Sequence, residues 1–290
     1  MTIYRLETLF PVELEARLQN CPILVLPFGT IEWHSHHLPL GLDGIVAAGI
    51  GEATAQQAGA VLAPVSYAAV GGVPYPYTLD LPIDVIEPLL VATFEQFGAM
   101  GFKVIVAFTG HFGLAQTLTL KRAALTVMQR SPVTILPLTE YDLTTDIGYK
   151  GDHAGEGETS LLWALRPDLV RLDAVPLDEP LDGVLGTDPR GAASRERGET
   201  LLADIASRTA EVALRLWQDT TALERADYLT AIAAGVKILD RIQTLRDQLP
   251  KSQVPSISTP AYMAHCQALY RGNYREARAH AKQKLADLSQ

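Results

Sequence analysis

The sequence predicts an α/β fold, a mainly parallel sheet with helices on both faces, followed by a helical C-terminal extension. Three observations carry this expectation. Four short apolar runs, residues 22–28, 61–65, 103–108 and 133–138, are continuous where exposed strands would alternate, as expected for strands covered on both faces. Helical stretches lie between them, and the alternation of the two implies parallel pairing. The charge then changes sign: residues 223–290 hold 10 Lys+Arg against 6 Asp+Glu, within a chain of net charge -9. Such a break marks a separate C-terminal unit. We therefore expect a body over 1–221 and an extension over 222–290.

The helices follow from periodicity. Residues 44–57 are rich in alanine. Residues 85–100 place Ile86, Leu90, Phe94 and Phe97 on one face, with Gly101 positioned as a C-cap. Residues 114–130 align Leu114, Leu118, Leu125 and Met128. After a loop around Thr187–Gly191, a further amphipathic helix keeps Leu201, Ile205, Val212 and Leu216 in phase. The extension reads as helices over 223–249 and 261–288, separated by a Pro/Ser break over 250–260. Residues 268–277 look like the turn of a tetratricopeptide repeat, but one repeat cannot bury its own apolar face. A helical hairpin packed on the body or on a neighbouring subunit accounts for the same pattern.

Composition narrows the function. With 290 residues, 48% hydrophobic, the chain can bury a large core. Its negative charge argues against a nucleic-acid partner. Cys21 and Cys266 allow neither a disulfide framework nor a thiolate zinc site. No apolar stretch reaches membrane-spanning length, and the first residues lack a basic, apolar leader, so no membrane partner and a cytoplasmic location are expected.

The chemistry gathers where the strands end. The first strand runs into a loop and helix start holding Glu32, His34, His36, His37 and Asp43. The third is followed by Thr109-Gly110-His111-Phe112-Gly113, and the fourth, after a loop, by Asp152-His153-Ala154-Gly155-Glu156-Gly157-Glu158. In open parallel sheets ligands bind beyond the carboxyl ends of the strands. Acids and imidazoles gathered at the end of an apolar strand are costly unless something binds them together, and a divalent cation does so. Each residue also has a plainer role available. Asp43 could be a helix N-cap, His34 to His37 a solvated loop and His111 a turn residue. Glu156 and Glu158 could complement a helix dipole, and His153 could pair with Asp152.

These residues resemble the creatininase (creatinine amidohydrolase) family. Its first signature, G-x-x-E-x-H-G-P-H-L-P-L-G-T-D, is matched by Gly29, Glu32, His34, His37, Leu38, Pro39, Leu40, Gly41 and Asp43. Its second, N-G-H-G-G-N, is matched by Gly110, His111 and Gly113, and its third, H-A-G-x-x-E-T-S, in full from His153 to Ser160. The resemblance spans roughly residues 1–220. It implies a three-layer α/β/α sandwich, a small-molecule amide substrate, two divalent metal ions (zinc, manganese or iron) and a homo-oligomer, commonly a hexamer. Carried over by position, Glu32, His34, Asp43, His111 and Glu158 would hold the metals, with Asp43 shared between them. His153 would act on the departing nitrogen at a pKa suited to neutral pH, and His37, Phe112 and Glu156 would touch substrate. Thr109, Phe112, Leu114 and the pair Ser35-His36 depart from the signatures, which speaks against creatinine itself. The reaction expected is therefore hydrolysis of an amide or cyclic amide C–N bond by metal-activated water.

Two rivals remain. One is a non-catalytic, metal-stabilised scaffold that recruits a partner through its tail. The other is a mononuclear enzyme using His34 and His36. It is disfavoured because Leu38 stands where the H-x-H-x-D-H pattern needs Asp, and because four strands are too few for an eight-stranded barrel.

Overall fold

The computed structural model describes residues 2–250, 253 and 259–289. Five parallel strands form one sheet in the order β1-β3-β2-β4-β5. They are β1 (Tyr4–Arg5), β2 (Ile23–Phe28), β3 (Val61–Leu62), β4 (Val104–Thr109) and β5 (Thr134–Thr139). Every residue of the three long strands is buried, as their unbroken apolar runs require. Burial of each large aliphatic side chain contributes about 1.5–3 kcal/mol, more than the roughly 1 kcal/mol net of a single hydrogen bond. The apolar runs therefore decide where the strands lie, and with them where the strands end.

Helices α2 (Leu42–Ala58), α5 (Glu156–Leu165) and α6 (Arg195–Gln218) pack together against β2 and β4. Helices α3 (Ile83–Met100), α4 (Leu114–Arg130) and α7 (Ala222–Gln248) form the second helical group, with α4 against β5. The result is the expected three-layer sandwich. Helices α8 (Pro260–Tyr270) and α9 (Tyr274–Asp287) make a hairpin that packs on α7. Helix α7 is tied to the sheet: Arg225 donates to the carbonyls of Met128, Ser131 and Val133, and the Tyr228 hydroxyl donates to Ile135 O.

Several boundaries differ from expectation. The strand expected from the second run, residues 61–65, shrinks to Val61–Leu62, because Pro64 has no N–H for the ladder, although Ser66 still bridges to Phe28 beside β2. The stretch 261–288 forms the expected hairpin, its turn falling within residues 268–277 at Gly272, which adopts φ 84°. The two-residue β1 and the helix α1 (Pro11–Asn20) were not expected. The Pro/Ser break over 250–260 falls largely on residues outside those described.

The register sets up the site. Phe28 pairs with Thr109, and Thr109 with Thr139, so β2, β4 and β5 end side by side. From β2 the chain crosses to β3 on one side; from β3 it returns past β2 to β4 on the other. The strand order therefore reverses between β2 and β4, the place where open α/β sheets form a ligand crevice.

Candidate metal centre

The first turn of α2 is drawn against both strand ends at this crevice. A Cβ on Gly29 would lie 2.2 Å from Gly44 N, and one on Gly110 would lie 2.2 Å from Asp43 O. Only glycine permits the two approaches. Asp43 is thereby carried in the first turn of α2, whose N-cap is Gly41, so it is not the cap that its sequence position allowed. Both of its carboxylate oxygens are buried and lack a hydrogen-bond partner.

Three histidines surround that carboxylate, and all are fixed in the same way. His34 shares a contact of 3.0 Å between Nδ1 and the Glu32 carbonyl, His111 one of 3.2 Å between Nε2 and Val70 O, and His153 one of 2.9 Å between Nε2 and Trp33 O. A carbonyl only accepts, so in each ring that nitrogen carries the proton and the other presents a lone pair. The free nitrogens all face carboxylates. His34 Nε2 lies 2.9 Å from Asp43 Oδ1 and 3.6 Å from Glu158 Oε2. His111 Nδ1 lies 2.9 Å from Glu32 Oε2 and 3.2 Å from Asp43 Oδ2. His153 Nδ1 is 3.9 Å from Glu32 Oε1, and its ring stacks on His34 with centroids 4.4 Å apart. A lone pair against a carboxylate is repulsive unless a proton or a cation stands between them.

Electrostatics agree. Burial opposes a charged imidazole, yet the neighbouring Asp43 and Glu32 carboxylates hold His111 up to about 10. His34 is raised by Asp43 and Glu32 against the same penalty. Despite its own burial, Asp43 is held well below the usual carboxylate range by His34 and His111. Glu158 moves the other way: burial and then Asp152 push it well above the ordinary value. Among the described residues no Lys or Arg pairs with these carboxylates. The cluster is short of positive charge, and its donors fit metal ions. Glu32, Asp43 and His111 form one group of converging ligand atoms and His34, Asp43 and Glu158 another, with Asp43 in both; Glu32, His34 and His153 form a third.

Other contacts fix the acids. Glu32 Oε1 accepts from Val73 N, and Glu158 Oε2 accepts from Ala154 N at 2.7 Å. Asp152 accepts from Gly157 N and Glu158 N, so it, and not Glu156 or Glu158, satisfies the start of α5. His153 and Asp152 do not form the pair their adjacency allowed.

Glu32, Asp43, His111, His153 and Glu158 line a cavity of about 830 Å³ that Phe112 also lines. His37 and Glu156 do not reach it. His37 is buried beside Thr159, with Nε2 3.0 Å from its hydroxyl, and Glu156 pairs with Arg197 at 3.3 Å. Substrate contact by these two is not supported by their placement. His153 lines the cavity, but burial and then the nearby His34 lower its pKa to about 4, so it is neutral at pH 7 and not poised there as expected. Sequence reading missed the segment Val70–Pro74, which supplies Val70 O and Val73 N to the cluster. Its Gly71-Gly72 pair, following β3 on the same rim, was the available signal. It also missed Tyr141, whose ring meets Phe112 edge-on at 5.4 Å.

Fold and site thus define a three-layer α/β protein with a buried acid–imidazole centre at the carboxyl edge of its sheet. Residues 8–213 match the family Creatininase, described as creatinine amidohydrolase. The chain belongs to the creatininase family of hydrolases. It is 26% identical over 230 residues to creatinine amidohydrolase of Pseudomonas putida, covering 66% of this chain and 88% of that one. It is 30% identical over 227 residues to mycofactocin precursor peptide peptidase of Mycolicibacterium smegmatis, covering 68% and 86%. Among solved structures, a creatininase (creatinine amidohydrolase) superposes with TM-score 0.64 at 24% identity, covering 76% of this chain and 100% of that one. A manganese creatininase gives TM-score 0.64 at 24% identity over 74% and 98%. A Zn-Zn form of a creatininase mutant gives 0.61 at 24% over the same shares. Among the described residues no helix is long and apolar enough to cross a membrane.

Proposed function

We propose that this protein is a dinuclear metal-dependent amidohydrolase that cleaves an amide or cyclic amide C–N bond of a small molecule other than creatinine. The observation that carries the reading is the common orientation of His34, His111 and His153. Each has one nitrogen committed to a backbone carbonyl and the other facing buried carboxylates. Glu32 and His111 would hold one divalent ion, His34 and Glu158 the second, and Asp43 would offer Oδ2 to the first and Oδ1 to the second. Zinc, manganese and iron all suit this donor set. When bound, such ions supply Lewis-acid polarisation of a carbonyl and an acidified water.

The remaining work falls to the chain. His153 Nδ1, unprotonated and facing the cavity, accepts a proton from the attacking water and returns it to the departing nitrogen. Trp33 O holds the ring in that tautomer. Phe112 and Tyr141 form an apolar wall beside the site. With Thr109 and Leu114 in place of the asparagines of the family signature, that wall is not the one expected for creatinine. A screen of small amides, lactams and formamides, with and without chelator, tests the reading. Chelator-sensitive hydrolysis of at least one class is expected. Activity that survives complete metal removal would count against it.

A further inference from the structure

We propose that the substrate carries an oxyanion, a carboxylate or phosphate-type group, bound by Arg246 of α7 and Lys150 of the loop after β5. The inference rests on the amidohydrolase reading of the same cavity. Both side chains are exposed and line the cavity whose inner surface holds Glu32, Asp43 and Glu158. Neither makes an ion pair among the described residues, whereas most other arginines of the chain do. By sequence, the stretch 250–260 contains no Asp or Glu.

The acids of the cavity are otherwise engaged. Glu32, Asp43 and Glu158 face the histidines, Asp152 takes the amides of Gly157 and Glu158, and Asp80 takes the amide of Gly71 at 2.7 Å. Two solvent-exposed cations without ion-pair partners among the described residues, on the wall of one cavity, are available to bind an oxyanion. Gln243, one turn before Arg246, lines the same cavity. Its Nε2 is held by Asp247 at 2.9 Å, and its buried Oε1 has no partner, leaving an acceptor for a substrate N–H. Arg246 and Gln243 lie beyond the family match, which ends at residue 213. The extension would thus set specificity for a site that the body builds.

The test uses three formamides with the same scissile bond: N-formylglycine, N-formylaminomethylphosphonate and the neutral N-formylglycinamide. Binding to the metal-loaded full chain is measured by calorimetry, and hydrolysis is followed separately. At least one anion should bind about tenfold more tightly than the carboxamide, and the better of the two identifies the oxyanion. Arg246→Gln should remove most of that preference and Lys150→Gln a few-fold of it. Arg246→Lys should restore part, while neutral-ligand binding and melting temperature stay unchanged. No preference for either anion, including failure of all three to bind, overturns the proposal. Equal hydrolysis of all three would do so while leaving the amidohydrolase reading intact. Anion preference without hydrolysis supports the anion site and counts against the amidohydrolase reading for formamides.

Discussion

Residues 140–142, at the end of β5, stand between two buried polar clusters that are balanced in different ways. On one side Tyr141 lines the cavity with Glu32, Asp43, His111 and Glu158. On the other, Asp142 accepts from Lys121 Nζ at 2.8 Å and from Thr139 N at 3.0 Å. Lys121 also reaches the Tyr270 hydroxyl, which donates to Pro137 O. In this second cluster one buried cation meets one buried anion, and α8 covers them. In the first, buried carboxylates face only imidazoles, and among the described residues no Lys or Arg pairs with them. A balanced cluster holds a helix in place; an unbalanced one asks for ions. Several substitutions break or sharpen this contrast.

The largest effect is expected for Asp43→Ala. Because Asp43 offers an oxygen to each half of the first cluster, its loss should release both metals and lower turnover by several kcal/mol, about 10⁴-fold, with the fold kept. Elemental analysis and circular dichroism check the two halves of this expectation. His153→Ala should lower turnover by about 10²–10⁴-fold while metal content stays at the wild-type level.

Asp142→Ala should show the opposite pattern. It strands the Lys121 charge in the interior, at a cost of about 3–5 kcal/mol, visible as a melting temperature lower by about 10 °C. Metal content of the surviving folded protein should not change. If Asp142→Ala lost metal as readily as Asp43→Ala, the two clusters would be one.

His265, within α8 and packed against α9, adds a pH signature to the second region. Burial lowers its pKa to about 4, although its Nδ1 contacts Ala277 O at 2.9 Å. The unfolded chain binds this proton near pH 6.5 and the folded chain only near 4, so stability is complete above about 6.5 and falls as pH drops toward 4. The full loss is about 3 kcal/mol. Denaturant titrations across that window should show it, and His265→Gln should flatten the slope by up to one proton.

The smallest effect concerns Ser35, which stands where the family signature has Gly. It holds φ 56° with its hydroxyl buried and unpartnered. Ser35→Gly should relieve a left-handed backbone cost of about 1 kcal/mol and raise the melting temperature by a few degrees.

Much of this was legible in the sequence, for identifiable reasons. Strands β2, β4 and β5 announce themselves because burial on both faces leaves no polar position within them. Glu32, His34, Asp43, His111 and Glu158 lie in clusters just past strand ends, and it is the resemblance to the family signatures that singles them out from their neighbours. What could not be read depends on backbone atoms or on long-range packing. The tautomers of the three histidines are set by the carbonyls of Glu32, Trp33 and Val70, which leave no trace in residue type. His37 sits within a signature, yet its partner Thr159 is placed only by the packing of α5. Arg246 reaches the cavity because α7 packs against α4, a contact that no local pattern encodes. Strand β1 has two residues, too few for any periodicity to register.

The central claim is that the strand-end cluster is completed by a pair of cations held through Asp43. Elemental analysis of the protein, purified without added metal and normalised to chain concentration, tests this most directly. Two equivalents of zinc, manganese or iron per chain, in any combination, is the expected result. One equivalent or none, in protein that hydrolyses its amide substrate at full rate, would contradict it.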